Sequence, residues 1–222
     1  MGIDVHSYTG LEKVISNCQT PVKMLEFGAQ RLVLKTFDED HPCRKFAPNL
    51  KMCSAKDFFQ SLGVEHISID IIELWDCEYM DLSIVQDKWK GEFDIVTNFG
   101  TTEHVRGGQH ESFLNCHNFT KPNGFMVHVV PMVGRMQRNH SPEQAVYYSE
   151  HFFNNLAEAN GYEVLDFYIY GDRRGKAVNI FCAMKKPHDR DFMLEDAFWD
   201  IKGINDFSEG QSFTKGHGIC PS

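Results

Sequence analysis

No apolar run in these 222 residues approaches the roughly 18 needed to span a bilayer, which argues against a membrane protein. The opening stretch, Met1 to Ser7, has no basic region leading into an apolar segment, and His6 stands where an acylation signal carries a hydroxyl. The expected location is the cytoplasm. The seven cysteines are odd in number and never form C-x-x-C, so they fit reduced thiols better than a disulfide frame or a zinc site. Basic patches are scarce too: Arg173-Arg174-Gly175-Lys176 and Lys185-Lys186 are the longest clusters. With a formal net charge of −9 the chain repels a polyanion, which disfavours a nucleic-acid partner. Internal repeats and low-complexity segments are absent.

The composition that remains, 42% hydrophobic and 24% charged, is that of a globular protein, and the length favours one domain. A first helix runs to about Cys18, capped by Ser7 or Thr9, with Leu11, Val14 and Ile15 on one face. Val22 to Phe27 reads as a strand opening into a loop at Gly28. Arg31 to Phe37 alternates like a strand and is followed by loop chemistry as far as Asn49. Asp38, Glu39, Asp40, His41 and Cys43 superficially resemble a metal cluster, but consecutive acids before a proline suit a solvated loop, and no metal is expected. Ser54 caps a helix closed by Gly63. Strands follow at His66–Ile71, around Cys77 to Leu82, at Phe93–Asn98 and at Phe125–Val130, with a helix from Gln109 to Thr120 before the last. A helix from about Glu143 to Asn160 precedes two final strands, Tyr162–Tyr170 and Ala177–Met184.

Strands alternating with helices imply a parallel sheet covered on both faces. The final pair, linked by only Gly171 to Gly175 with its flanks, must be antiparallel. The expected fold is therefore α/β, three-layered and Rossmann-like, with a mostly parallel seven-stranded sheet ending in an antiparallel hairpin. The expected domain covers 1–187. Residues 188–222 form an extension over the sheet edge or a neighbour, with a short helix near Leu194 to Trp199.

In such a sheet a ligand lies across the carboxyl ends of the central strands. Gly28, after Glu26-Phe27, allows close backbone approach. Asp70 can accept both hydroxyls of a ribose. Asp81-Leu82 offers a carboxylate to an exocyclic amine and an apolar wall to a purine. Asn98-Phe99-Gly100-Thr101-Thr102-Glu103-His104 is a polar loop facing the reacting end.

Leu25-Glu26-Phe27-Gly28, Ile69-Asp70, Phe93-Asp94-Ile95-Val96-Thr97-Asn98 and Lys121-Pro122-Asn123-Gly124-Phe125, in this order and spacing, resemble the landmark segments of the class I S-adenosylmethionine-dependent methyltransferases. The resemblance covers roughly Val22 to Lys186. It implies that Glu26, Gly28, Ala29 and Gln30 face the methionine part of S-adenosyl-L-methionine. It further implies that Asp70, with Ile71, holds the ribose, that Asp81 and Leu82 frame the adenine, and that Asn98, Phe99 and Gly100 lie toward the substrate. The first loop departs from the family in keeping only Gly28, with Gln30-Arg31 in place of the next glycine. The distance from Gly28 to Asp70 is about twice the roughly 20 residues of a compact unit, so an insertion is accommodated there.

Glu103 and His104 are candidates for a general base or for substrate binding, or equally for caps of the following helix. Thr101, Arg135, Arg138 and His140 are candidates for substrate contact, and solvent-facing loop charge is the plain alternative for the last three. His128 reads as a hydrogen-bonded core histidine. The expected activity is methyl transfer to a small molecule. A non-catalytic scaffold or partner-binding domain on the same fold is the alternative. A nicotinamide-dependent oxidoreductase is disfavoured because Gly-x-Gly-x-x-Gly and a Tyr-x-x-x-Lys pair are missing.

Overall fold

The structure, a computed structural model, describes residues 2–72, 76–132, 146–171 and 178–206. Helix α1 (Val5–Ile15) begins at Asp4, not at Ser7 or Thr9. The Asp4 carboxylate accepts from the Ser7 amide at 2.9 Å and the Asp4 amide donates to the Ser7 hydroxyl at 2.9 Å, a reciprocal cap that makes Ser7 the partner of the cap. Strand β1 (Lys23–Phe27) follows. The long segment after it holds β2 (Arg31–Leu32), a 3-10 turn at Leu34–Thr36, α2 (Pro42–Phe46) and β3 (Cys53–Ser54), which pairs antiparallel with β2. The alternation from Arg31 to Phe37 thus yields only two strand residues. Leu32, Leu34, Phe37 and Cys43 are all buried, and they pack with Tyr8 of α1.

Ser54 caps α3 (Ala55–Ser61), then β4 (Glu65–Asp70), β5 (Glu78–Tyr79) and β6 (Phe93–Phe99) enter the sheet. Helix α4 (Gln109–Phe119) leads into β7 (Thr120–Pro131). The helix expected from Glu143 starts instead at α5 (Glu150–Asn160), because the buried run Val146–Tyr148 forms strand β8 and Ser149 supplies the cap. Strands β9 (Glu163–Gly171) and β10 (Val178–Lys185), helix α6 (Glu195–Asp200) and β11 (Ile204–Asp206) complete the described chain.

The main sheet has seven strands in the order β5-β4-β1-β6-β7-β10-β9. Neighbours from β5 to β7 are parallel, and β10 runs against both β7 and β9. Alternate residues of each strand feed two apolar layers. Leu25, Phe27, Phe93 and Val96 pack with α4 and α5, while Met24, Ile95, Val127 and Phe181 pack with α1 and α3. Gly10 lets α1 approach the sheet, since a Cβ there would collide with the rings of Phe181 and Tyr168.

The part of the extension after residue 187 that is described lies on the α4–α5 layer, not on the sheet edge. β11 pairs with β8, and Phe192, Phe198, Ile201 and Ile204 enter the core. His117 ties it down, one ring nitrogen 2.8 Å from the Arg190 carbonyl and the other 2.6 Å from the Tyr162 hydroxyl. None of the helices among the described residues is long and apolar enough to cross a membrane.

Burial shifts several ionisable groups toward their neutral forms. It pushes His66 and His128 down to about 3 and His117 to about 4 from an ordinary 6.5, and lifts Glu26 to about 8 and Glu103 to about 7 from 4.5. The two kinds of shift have opposite signs for stability. The histidines favour unfolding as pH falls below 6.5, where only the unfolded chain takes up their protons, and the acids favour unfolding as pH rises above 4.5, where only the unfolded chain has released its protons. Between those values the two largely cancel. Thermal melting across pH should therefore give a maximum near neutrality, a steep fall below about 4.5 and a shallower fall through 7 to 8. A melting temperature that climbs steadily from pH 6 to 9 would contradict these assignments.

Candidate functional site

The connections leave the sheet in opposite directions at β1 and β6, so a crevice opens beyond their carboxyl ends. The loops that bound it are stitched together. The Gly28 amide donates to the Ile69 carbonyl at 2.7 Å, the Ala29 amide to Asp70 Oδ2 at 3.1 Å, and the Thr101 hydroxyl to the Phe27 carbonyl at 2.6 Å. Gly28 adopts φ +78°, and a Cβ on it would stand 2.5 Å from Thr101 Oγ1 and 2.8 Å from Gln30 Nε2. Only glycine fits this crossing of the β1 and β6 loops.

The resulting cleft, about 620 Å³, is lined by Gly28, Ala29, Gln30, Asp70, Ile71, Asp81, Leu82, Gly100, Thr101 and His104 among the residues the sequence singled out. Ile72, Met80, Ser83, Val105 and Arg106 join them, and no sequence pattern had marked these. Each Asp70 oxygen already receives one backbone amide, Oδ2 from Ala29 and Oδ1 from Ile72 at 3.1 Å, and keeps lone-pair capacity toward the cleft. Asp81 takes both the amide and the hydroxyl of Ser83 on Oδ1, at 2.8 and 2.7 Å. Gln30 is 7% exposed, and its Oε1 is buried without a partner among the described residues.

Four of the candidates are brought to the cleft's foundations rather than its lining. Glu26 is buried beneath the β1 loop, where Oε2 accepts from the Gln30 amide and the Ser68 hydroxyl, each at 3.0 Å. His66 lies 3.8 Å from its other oxygen and stacks on Phe59. Phe99 is core. Asn98 is buried and organises the β6 loop: it receives the Thr102 amide at 3.1 Å and donates to Thr102 Oγ1 at 2.9 Å. Its amide nitrogen is 3.2 Å from His128 Nδ1, which as the acceptor must be unprotonated, so His128 is a neutral core residue between Phe113 and Phe153. Tyr148 and Gln109 complete this network, the phenol 2.9 Å from Thr102 Oγ1 and 2.6 Å from Gln109 Oε1. Neither was legible as a site residue, because polar residues in a helix and in a short strand carry no signal of a common partner.

Glu103 is fully buried, with both oxygens unpartnered by hydrogen bonds among the described residues. Oε1 is 3.8 Å from His104 Nε2. Arg135, Arg138 and His140 lie outside the described residues.

No family model matches the chain, and no curated protein matches it in sequence. Solved structures do resemble it. The 1,6-didemethyltoxoflavin-N1-methyltransferase of Burkholderia thailandensis, solved with 1,6-didemethyltoxoflavin and S-adenosylhomocysteine bound, is 14% identical over 83% of this chain and 80% of its own, with a TM-score of 0.57. A methyltransferase of Methanosarcina mazei is 11% identical over 84% of this chain and 100% of its own, TM-score 0.55. The [4+2]-cyclase SpnF is 10% identical over 83% and 80%, TM-score 0.54. Sheet order, the lone antiparallel strand and these likenesses together give the chain the fold of the class I S-adenosylmethionine-dependent methyltransferases.

Proposed function

We propose that the chain is an S-adenosyl-L-methionine-dependent methyltransferase acting on a small-molecule acceptor. The observation that carries this reading is the sharing of one cleft by Gly28–Gln30, Asp70, Asp81–Leu82 and Gly100–Thr101, which come from four strand ends. The residues suit the cofactor. Gly28 brings no side chain of its own to the loop crossing, where the Thr101 hydroxyl and Gln30 amide stand instead, the orphaned Gln30 Oε1 offers an acceptor to an ammonium, and Asp70 retains capacity for ribose hydroxyls. Ile71, Met80 and Leu82 supply apolar walls for a purine, with Asp81 at their edge.

When bound, the cofactor supplies a methyl group already activated on a sulfonium. The chain's contribution is to hold, orient and exclude water, which accounts for most of the acceleration in such a transfer. A small acceptor fits a chain whose formal charge of −9 opposes polyanions. The likeness to a cyclase favours a second reading, in which the same cleft serves another reaction or a partner.

Calorimetry should detect binding of both S-adenosylmethionine and S-adenosylhomocysteine. Asp70→Asn should weaken it about 10- to 100-fold, the loss of one or two charge-assisted bonds. Absence of heat with either compound would remove the methyltransferase reading.

Gly28→Ala should cost about 1–3 kcal/mol of stability and abolish binding, because the methyl group both strains the backbone and drives the β1 and β6 loops apart. Chemical denaturation and the same calorimetry measure the two effects, and an alanine variant that binds normally would show that the crossing is not needed.

A further inference from the structure

Two carboxylates beside the cleft are equally buried and differently treated. Glu26 receives two hydrogen bonds and braces a loop, so its burial has a structural account. Glu103 receives none on its side chain among the described residues, although it sits in a loop otherwise saturated with hydrogen bonds through Asn98, Thr102, Gln109 and Tyr148. An unpaired buried carboxylate is costly, and a cation placed beside it removes that cost. The neighbour at 3.8 Å is the His104 ring, whose side chain is 38% exposed and which supplies the one imidazole lining the cleft among the described residues. Tyr147 of β8 also faces Glu103, its phenol pushed up by burial and then by that carboxyl, while burial lifts the Glu103 carboxyl against the downward pull of the residue's own backbone amide and of the N-terminal ammonium. Arg106, Asp70 and Asp81 are the remaining charges on the cleft among the described residues.

We propose that His104 takes the proton released by the methyl acceptor and that Glu103 is the positioning residue that stabilises the imidazolium so formed, which makes the acceptor a small molecule reacting through a proton-bearing nitrogen or oxygen. This rests on the methyltransferase reading. In the step, the bond between the methyl carbon and the cofactor's sulfur breaks and leaves its electron pair on sulfur. A bond forms from the acceptor's nitrogen or oxygen to the methyl carbon, and the acceptor's proton passes to His104 Nδ1. Nε2–H then faces Glu103 Oε1, and the ion pair stabilises the ionised form of Glu103 that burial disfavours. The 3.8 Å separation is the looser resting geometry expected before a proton arrives.

The test uses the full chain with labelled S-adenosylmethionine and the dialysable small-molecule fraction of a cell extract, with His104→Gln, Glu103→Gln, Glu103→Asp and the double glutamine variant. All should bind S-adenosylhomocysteine within about twofold of the parent, and His104→Gln should transfer label at least about 100-fold more slowly. Glu103→Gln should lose activity, Glu103→Asp should recover part of it, and the double variant should be no worse than His104→Gln alone, since the pair acts as a unit. Independently of turnover, the NMR signals of the His104 ring should change position in Glu103→Gln, because the ring loses the carboxyl it faces. Additive losses in the double variant, unmoved His104 ring signals, methylation of a carbon or sulfur, or no transfer by a parent that binds S-adenosylhomocysteine would each overturn the proposal. Absence of S-adenosylhomocysteine binding to the parent would instead sink the reading beneath it, and this proposal with it.

Discussion

The hydroxyl of Thr101 donates to the carbonyl of Phe27, and the rest of the site depends on that bond. β1 and β6 are adjacent parallel strands whose connections depart in opposite directions, and nothing in a parallel ladder holds the two departing loops at a fixed distance. The Thr101 bond does so directly over the crevice, and the opposing Gly28 has no side chain to prevent it. The Ala29 amide on Asp70 then fixes the third loop against the first. Cleft shape therefore follows from hydrogen bonds between strand ends more than from the apolar layers below.

Polar burial in this region is unusually heavy for a half-enclosed cleft. Asn98, Thr102, Gln109, Tyr148 and His128 form a connected network behind the β6 loop, left open only at His128 Nε2 among these side chains, and such a network rigidifies what it holds. Among the described residues the buried unpartnered atoms are Gln30 Oε1, the two Glu103 oxygens, both His66 nitrogens and His128 Nε2, and of these residues Gln30 and Glu103 belong to the loops that bound the cleft. Both residues flank the cleft, one in the β1 loop and one in the β6 loop. A chain that spends hydrogen bonds so freely nearby leaves these atoms open at a cost, and such costs concentrate where a ligand or a proton restores the balance.

The strand ends were readable because their residue types announce themselves: a glycine after an apolar run, acids ending the next two strands, a polar turn after the fourth. Position in the ordered set turned each weak sign into a shared place. What escaped was set by tertiary contact. Val146–Tyr148 looks helical beside Phe152 and Leu156, yet β11 from the far end of the chain claims it as a strand. The segment from Arg31 to Phe37 alternates, but only Arg31 and Leu32 find a partner strand, and Leu34 and Phe37 turn into the α1 layer instead. Glu26 carries the pattern of a ligand-facing acid, while burial assigns it to the Gln30 amide, a distinction no linear spacing encodes.

Identity of 10–14% to structures of the same fold, two of them named as methyltransferases and one as a cyclase, separates what the sheet demands from what the reaction demands. The sheet demands apolar alternation, one glycine at the loop crossing, and polar strand ends, all of which many sequences supply. It does not demand a buried acid whose two oxygens lack hydrogen-bond partners among the described residues. Removing the charge of Glu103 would relieve a desolvation penalty without breaking any hydrogen bond to its side chain among the described residues, so stability alone gives no reason to keep it. The choice between a cleft that merely positions two reactants and one that also moves a proton thus turns on His104 and Glu103, neighbours in the chain, one lining the cleft and the other sealed behind it.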